Sequence, residues 1–148
     1  MEMQTYFSFL LELCQALDAL TALEQKKIQA IQAGDLAALD ECMKKEQVAS
    51  LDLRGREQKR TALQQQLGLE KVPLRELSSH CPPQYKGKAT EITEQVLRSY
   101  QVLSSAQQAA RTLMESNLRH IQKELARREE APQKRTAPHK NTQTDFRA

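Results

Sequence analysis

Apolar residues recur along this chain at steps of three, four and seven, the spacing that gives an α-helix one greasy face. The longest such run extends from about Ala89 to Glu130. Ile92, Val96, Tyr100, Leu103, Ala110, Met114, Leu118, Ile121 and Leu125 hold its stripe, and no proline or glycine interrupts it. At about 1.5 Å per residue it predicts a helix roughly 60 Å long, which suits an elongated bundle better than a compact globule. Upstream, Leu10, Leu13, Leu17, Leu20, Leu23, Ile28 and Ile31 predict a first helix from near Thr5 to Ala33, with Glu12, Asp18, Gln25 and Lys27 largely off the stripe. Gly34 suits the left-handed conformation that ends one helix, and the Asp35 carboxylate suits the cap of the next. A second helix is predicted from Leu36 to about Leu67, with Leu36, Leu39, Met43, Ala49, Leu53, Leu63 and Leu67 on its inner face.

Between Arg54 and Arg60 that inner face turns polar, with Arg54, Arg56, Glu57, Lys59 and Arg60 crowded around Gly55. Folding about Gly34 sets Leu10 and Leu13 beside this polar section, so the third long helix or a partner must cover the start of helix one. Gly68 ends helix two, Val72-Pro73 opens a short helical segment from Leu74 to about His80, and Cys81-Pro82-Pro83 breaks it. After Glu130 the stripe gives way to Pro132, Pro138 and a run of Lys, Arg, Thr, Asn and Gln. The expected fold is therefore all-α, an elongated antiparallel helical bundle of three long helices with a short connecting helix. Residues 1–130 form the bundle domain, and 131–148 form a basic tail, disordered in isolation, with Phe146 its one sizeable apolar side chain.

Composition strengthens the helical reading: Ala, Leu, Gln, Glu, Lys and Arg dominate, Trp is absent, and glycine and proline number only 4 and 5. The net charge of +3 sits in the tail, where Lys134, Arg135, Lys140 and Arg147 oppose Asp145. Spaced charges without interleaved aromatics are a weak nucleic-acid signal. Unbroken apolar runs of a few residues fall far short of the ~20 needed to cross a bilayer, and Glu2 replaces the basic start of a signal peptide. These features predict a cytoplasmic address. Cys14, Cys42 and Cys81 form no Cys-x-x-Cys pair. The hairpin places Cys42 level with Lys26 or Lys27 and Cys14 roughly 18 Å away, which predicts free thiols.

Catalytic signals are nearly absent. Gly34, Gly55, Gly68 and Gly87 are too scattered for a phosphate-cradling loop. His120 with Glu124 reads as an exposed helix pair without a nucleophile, and His80 beside Cys81 lacks the companions a zinc site needs. The chain is read as neither an enzyme nor a holder of cofactor or metal. Tyr100, at a stripe position, reads as core; Asn117, beside the stripe, is either a semi-buried register-setting group or an ordinary boundary residue.

The leucines at 10, 13, 17 and 20, then Leu23-Glu24, Ala33-Gly34-Asp35-Leu36, Lys44-Lys45-Glu46 and the series Arg60, Leu63, Leu67-Gly68-Leu69 together resemble the FlgN family of flagellar export chaperones. The later Met114-x-x-Asn117-Leu118 and the tail segment Thr142-Gln143-Thr144-Asp145-Phe146 are also similar to that family, although the tail lacks the aromatic directly before the Asp and the nearby Gly that its pattern would carry. The resemblance implies a cytoplasmic chaperone of the bacterial flagellar type III export system. Such a protein binds the helical C-terminal regions of hook-filament junction proteins, prevents their early assembly and brings them to the export gate. The client surface is expected at Leu113, Met114, Asn117, Leu118, Ile121 and Leu125, where the third helix outruns the others, with Phe146 and the tail adding contacts. No nucleic acid and no stable membrane insertion are expected, and the free chain is expected to be a monomer or weak homodimer. Two other classes stay open: a structural coiled-coil oligomer built on the same stripe, and a helical nucleic-acid-binding protein using the tail.

Overall fold

The computed structural model describes residues 2–130, apart from the side chains at positions 121, 124, 128 and 130. Three long helices appear: α1 Met3–Ala33, α2 Leu36–Gln66 and α3 Lys86–Glu130. Between α2 and α3 lie two short 3-10 helices, Leu74–His80 and Pro83–Tyr85, and no strand is found among the described residues. The all-α bundle with a short connecting helix is thus what the chain forms. The structure falls into two units, Met1–Arg111 and Thr112–Ala148. The tail from 131, with Phe146, lies outside the described residues.

Local chemistry sets the α1–α2 turn. Gly34 takes φ 68 and ψ 23, and Asp35 N–H returns to the Ala30 carbonyl at 3.0 Å, closing the end of α1. Asp35 then caps α2, its Oδ1 accepting from the Ala38 N–H at 3.0 Å. A Cβ at Gly34 would meet no atom within 4 Å, so only backbone strain opposes a side chain there. Gly34→Ala is expected to cost about 1 kcal/mol, read as a shift in the urea midpoint. Gly68, at φ 75, closes α2 in the same way, with Leu69 N–H bonded to the Gln64 carbonyl at 2.9 Å.

The core of the first unit joins Tyr6, Phe7, Leu10, Leu13, Leu17 and Leu20 of α1 to Ala89, Ile92, Val96 and Leu103 of α3, with Leu69, Leu77 and Cys81 from the connector. The start of α1, which α2 meets with a polar section, is therefore covered from within the chain. Phe7 also meets Tyr85 edge to face, with ring centroids 6.0 Å apart. Direction follows from the contacts. Tyr6 reaches Gln64 and Lys27 reaches Glu46, which makes α1 and α2 antiparallel and sets their register about Asp35.

Two inner-face assignments on α2 are corrected. Leu36 is 76% exposed and Met43 is exposed as well. The line that α2 turns toward α1 runs instead through Cys42, Glu46, Ala49, Leu53, Arg60 and Gln64, all buried or half-buried. One residue on a helix is a 100° rotation, so Cys42 faces in and Met43 faces out. The membrane criterion also needs correcting. By length and composition α1 is apolar enough to cross a bilayer, with mean hydropathy 1.3 in its most apolar stretch. Glu12 and Asp18 interrupt the run, so its longest unbroken apolar stretch is short although its mean hydropathy is high. Half of that stretch is buried inside the fold, as in a core helix. Finally, α3 begins at Lys86 rather than Ala89 because the second 3-10 turn feeds it directly.

Candidate functional site

The stripe of α3 changes character along its length. Ile92, Val96, Leu103 and Ala110 are buried. In the second unit Leu113, Met114 and Leu125 are half-buried, and Leu118 is 53% exposed. Asn117 is exposed, which makes it a solvent-facing boundary residue rather than a register-setting one. The side chain of Ile121 lies outside the described residues, as does the whole of Phe146. The flanking Glu115, Arg119, His120 and Lys123 are exposed. The result in this segment is a helix with exposed charged groups beside a stripe of partly exposed apolar ones, Met114, Leu118 and Leu125, four and seven residues apart.

The polar section of α2 builds something the sequence did not reveal. Gln64 is buried, and its Oε1 accepts from Tyr6 Oη at 2.7 Å and from Arg60 Nη1 at 3.0 Å. Its Nε2 donates to the carbonyls of Leu69 at 3.0 Å and Val72 at 2.8 Å. The amide is thereby saturated on both sides, and it ties α1, α2 and the connector at one point. Arg60 also holds Glu57, with Nε–Oε1 3.3 Å and Nη2–Oε2 3.2 Å. Burial of Arg60 opposes its charge, but the Glu57 carboxylate outweighs that and raises its pKa. Burial pushes the Tyr6 phenol up, with Arg60 acting against it. Tyr100 brings α3 to the same place. Burial raises its phenol too, with Glu57 adding to the effect, and its Oη is buried without a hydrogen bond. The bonds of the Gln64 amide hold α1, α2 and the connector in register, while Tyr100 of α3 lies against them without a hydrogen bond of its own.

A second polar group lies nearer the Gly34 turn. Lys27 Nζ contacts both carboxylate oxygens of Glu46, at 3.0 and 3.1 Å, and Glu24 Oε2 at 3.6 Å. Between these two places a shallow groove on the α1–α2 face is lined by Phe9, Glu12, Ala16, Ala49, Asp52 and Gly55. Arg56 closes onto Asp52 beside it at 2.8 Å, and Lys59 stands over the Phe9 ring, 5.4 Å from its centroid.

The cysteines are free and buried. Burial pushes the Cys14 thiol up, with Ser99 of α3 beside it. Cys81 donates to the Leu77 carbonyl at 3.2 Å. No cluster of three or more potential metal ligands occurs among the described residues, and His80 and His120 are both exposed.

The model of one protein family, described as FlgN protein, matches residues 1–137 of the chain. No curated protein and no solved structure matches it.

Proposed function

The chain belongs to the FlgN family and is a flagellar export chaperone, and from that premise we propose that it acts in the cytoplasm on hook-filament junction proteins. In this reading it binds their helical C-terminal regions, blocks early assembly and brings them to the export gate, working as a monomer or weak homodimer without cofactor or catalysis. The observation that carries the choice of surface is Leu118, 53% exposed on a stripe that is buried upstream at Leu103 and Ala110. Leu113, Met114, Ile121 and Leu125 share that segment, and Asn117, Phe146 and the tail would add contacts. Burying two or three such side chains against a client helix, at about 25 cal/mol per Å², yields several kcal/mol before ordering costs. That range suits a chaperone that must also let go.

The test is calorimetric titration of a hook-filament junction protein's C-terminal segment into the full chain. Leu118→Ala combined with Leu125→Ala is expected to weaken binding about tenfold or more, equivalent to about 1.4 kcal/mol, with the helical signal nearly unchanged. Removing residues 131–148 is expected to weaken it less. A markedly lower melting temperature with unchanged affinity of the folded fraction would assign these leucines to the intramolecular core and overturn the proposal. Sedimentation over a concentration series that shows a tight oligomer, lost in the double variant, would assign the stripe to self-pairing instead.

A further inference from the structure

Glu24 occupies a stripe position of α1, one turn after Leu20, and is 1% exposed. A carboxylate so placed requires a counter-charge or a proton. Lys27 is the nearby cation, but it is committed to Glu46, at 3.0 and 3.1 Å. Its 3.6 Å approach to Glu24 Oε2 is too long for a hydrogen bond, and that oxygen is buried without a hydrogen-bond partner. Two carboxyl groups from facing helices therefore share one ammonium in the seam of the hairpin. Both ionised, they would leave a net negative charge out of water. One proton between them cancels that charge and supplies the missing donor.

We infer that Glu24 and Glu46 form a shared-proton carboxyl pair that clasps α1 to α2 near the Gly34 turn, a pH-responsive fastening that holds while Glu24 is protonated and loosens when it ionises. The surroundings assign the proton. Burial pushes the Glu24 carboxyl up, the hydrogen bond with Glu46 adds to this and Lys27 acts against it, leaving it at about 7. Burial acts upward on Glu46 too, but its hydrogen bonds with Glu24 and Lys27 outweigh that and hold it below the usual range. The charged groups bearing on Glu24 are Lys27 from its own helix and Glu46 from the facing one. Thr21, one turn before and also buried, donates to the Leu17 carbonyl at 3.1 Å.

The sign follows from linkage. Glu24 binds its proton more tightly folded than unfolded, so its contribution is complete below its ordinary value of 4.5 and is lost as pH rises through about 7. Glu46 contributes in the opposite sense: its part is present above the ordinary carboxylate value and is lost as pH falls below it. Across the neutral range Glu24 therefore governs. The far end of the hairpin is fastened by Tyr6 and Gln64, which stay uncharged there because the Tyr6 phenol is raised above 10. The loosening is confined to the turn end.

The test uses the full chain with ¹³C-labelled glutamate carboxyls, titrated by NMR from about pH 4 to 9 alongside urea unfolding at each pH. One glutamate is expected to titrate near 7, and its signal is expected to vanish in Glu24→Gln. The wild-type unfolding constant is expected to rise about tenfold or more between roughly pH 5.5 and 8, while that of Glu24→Gln stays flat. Titration of every glutamate below about pH 5.5, or equal pH dependence in the two proteins, would overturn the inference. Should Glu24→Gln fail to fold, the wild-type titration decides alone.

Discussion

Alanine at Leu103 is expected to lower the unfolding free energy by about 2–5 kcal/mol, whereas alanine at Leu118, on the same stripe of α3, is expected to change it by less than about 0.5 kcal/mol. Leu103 is 4% exposed and belongs to one apolar cluster with Leu13, Leu17 and Val96. Its removal costs the transfer free energy of the lost methyl groups and leaves a cavity that close-packed helices fill only in part. Leu118, half open to solvent, has little burial to lose. For a chain whose whole stability is typically about 5–15 kcal/mol, the first change is a third or more of the total at the low end. Urea unfolding of both variants, with a common m-value, reads the difference. Equal losses at the two positions would place Leu118 in the core and remove the ground for a client surface there.

Gln64→Leu is expected to destabilise by about 3–5 kcal/mol, although it replaces a polar residue with an apolar one in a buried position. The substitution strands Tyr6 Oη and the carbonyl of Val72 at once, and it takes from the Leu69 carbonyl one of its two bonds, the other coming from the Val72 N–H at 3.1 Å. Every buried polar group left without a partner costs about 1–3 kcal/mol. Arg60 keeps Glu57 and so loses less. Tyr6→Phe, which strands nothing but one acceptor site, is expected to cost about 1–1.5 kcal/mol. The double variant should cost less than the two together, since both act on one bond. The backbone responds as well. The connector places Gly68 at φ 75 and Lys71 at φ 65, and the amide of Gln64 secures the carbonyls on either side of Lys71's turn. Hydrogen exchange of the Leu67 to Val72 amides is therefore expected to accelerate in Gln64→Leu more than in Tyr6→Phe. A melting temperature within a degree or two of the wild type would mean that water replaces the amide without loss.

The elements legible in the sequence were those fixed by neighbouring residues. Gly34-Asp35 carries its own stop and start signals, and Val72-Pro73 and Cys81-Pro82-Pro83 bracket the short helix at Leu74–His80 where the structure has it. The α1 stripe was readable because its leucines outnumber every interruption. The inner face of α2 was readable only in part: Ala49, Leu53, Leu63 and Leu67 do pack against the core, but a hydrophobic pattern does not mark Glu46 and Gln64 as inward and it placed the exposed Leu36 and Met43 there. Gln64 finds its partner 58 residues away in Tyr6, a pairing that exists only once the hairpin register is known. Glu24 is marked in the sequence by its place, a carboxylate at a stripe position one turn after Leu20 with a lysine three residues on. On α3 the composition of the stripe is nearly uniform from Ile92 to Leu125, so periodicity could mark it but not say where burial ends.

The covering of the start of α1 by distant segments bears on how the chain emerges from the ribosome. Tyr6 and Gln64 sit at the open end of the hairpin, so α1 and α2 can zip outward from Gly34 as soon as residue 66 is available, beginning with the contacts nearest the turn, which are the closest in sequence. The lid over Phe7, Leu10 and Leu13 consists of Leu77, Ala89, Ile92, Val96 and Leu103, all synthesised later. At about 5–20 residues per second, the interval from the end of α2 to Leu103 lasts roughly 2–7 s. During those seconds a nascent hairpin carries an uncapped aromatic and leucine surface at one end. An export chaperone thus passes through a vulnerable stage of its own, and slow codons between residues 67 and 103 would lengthen it.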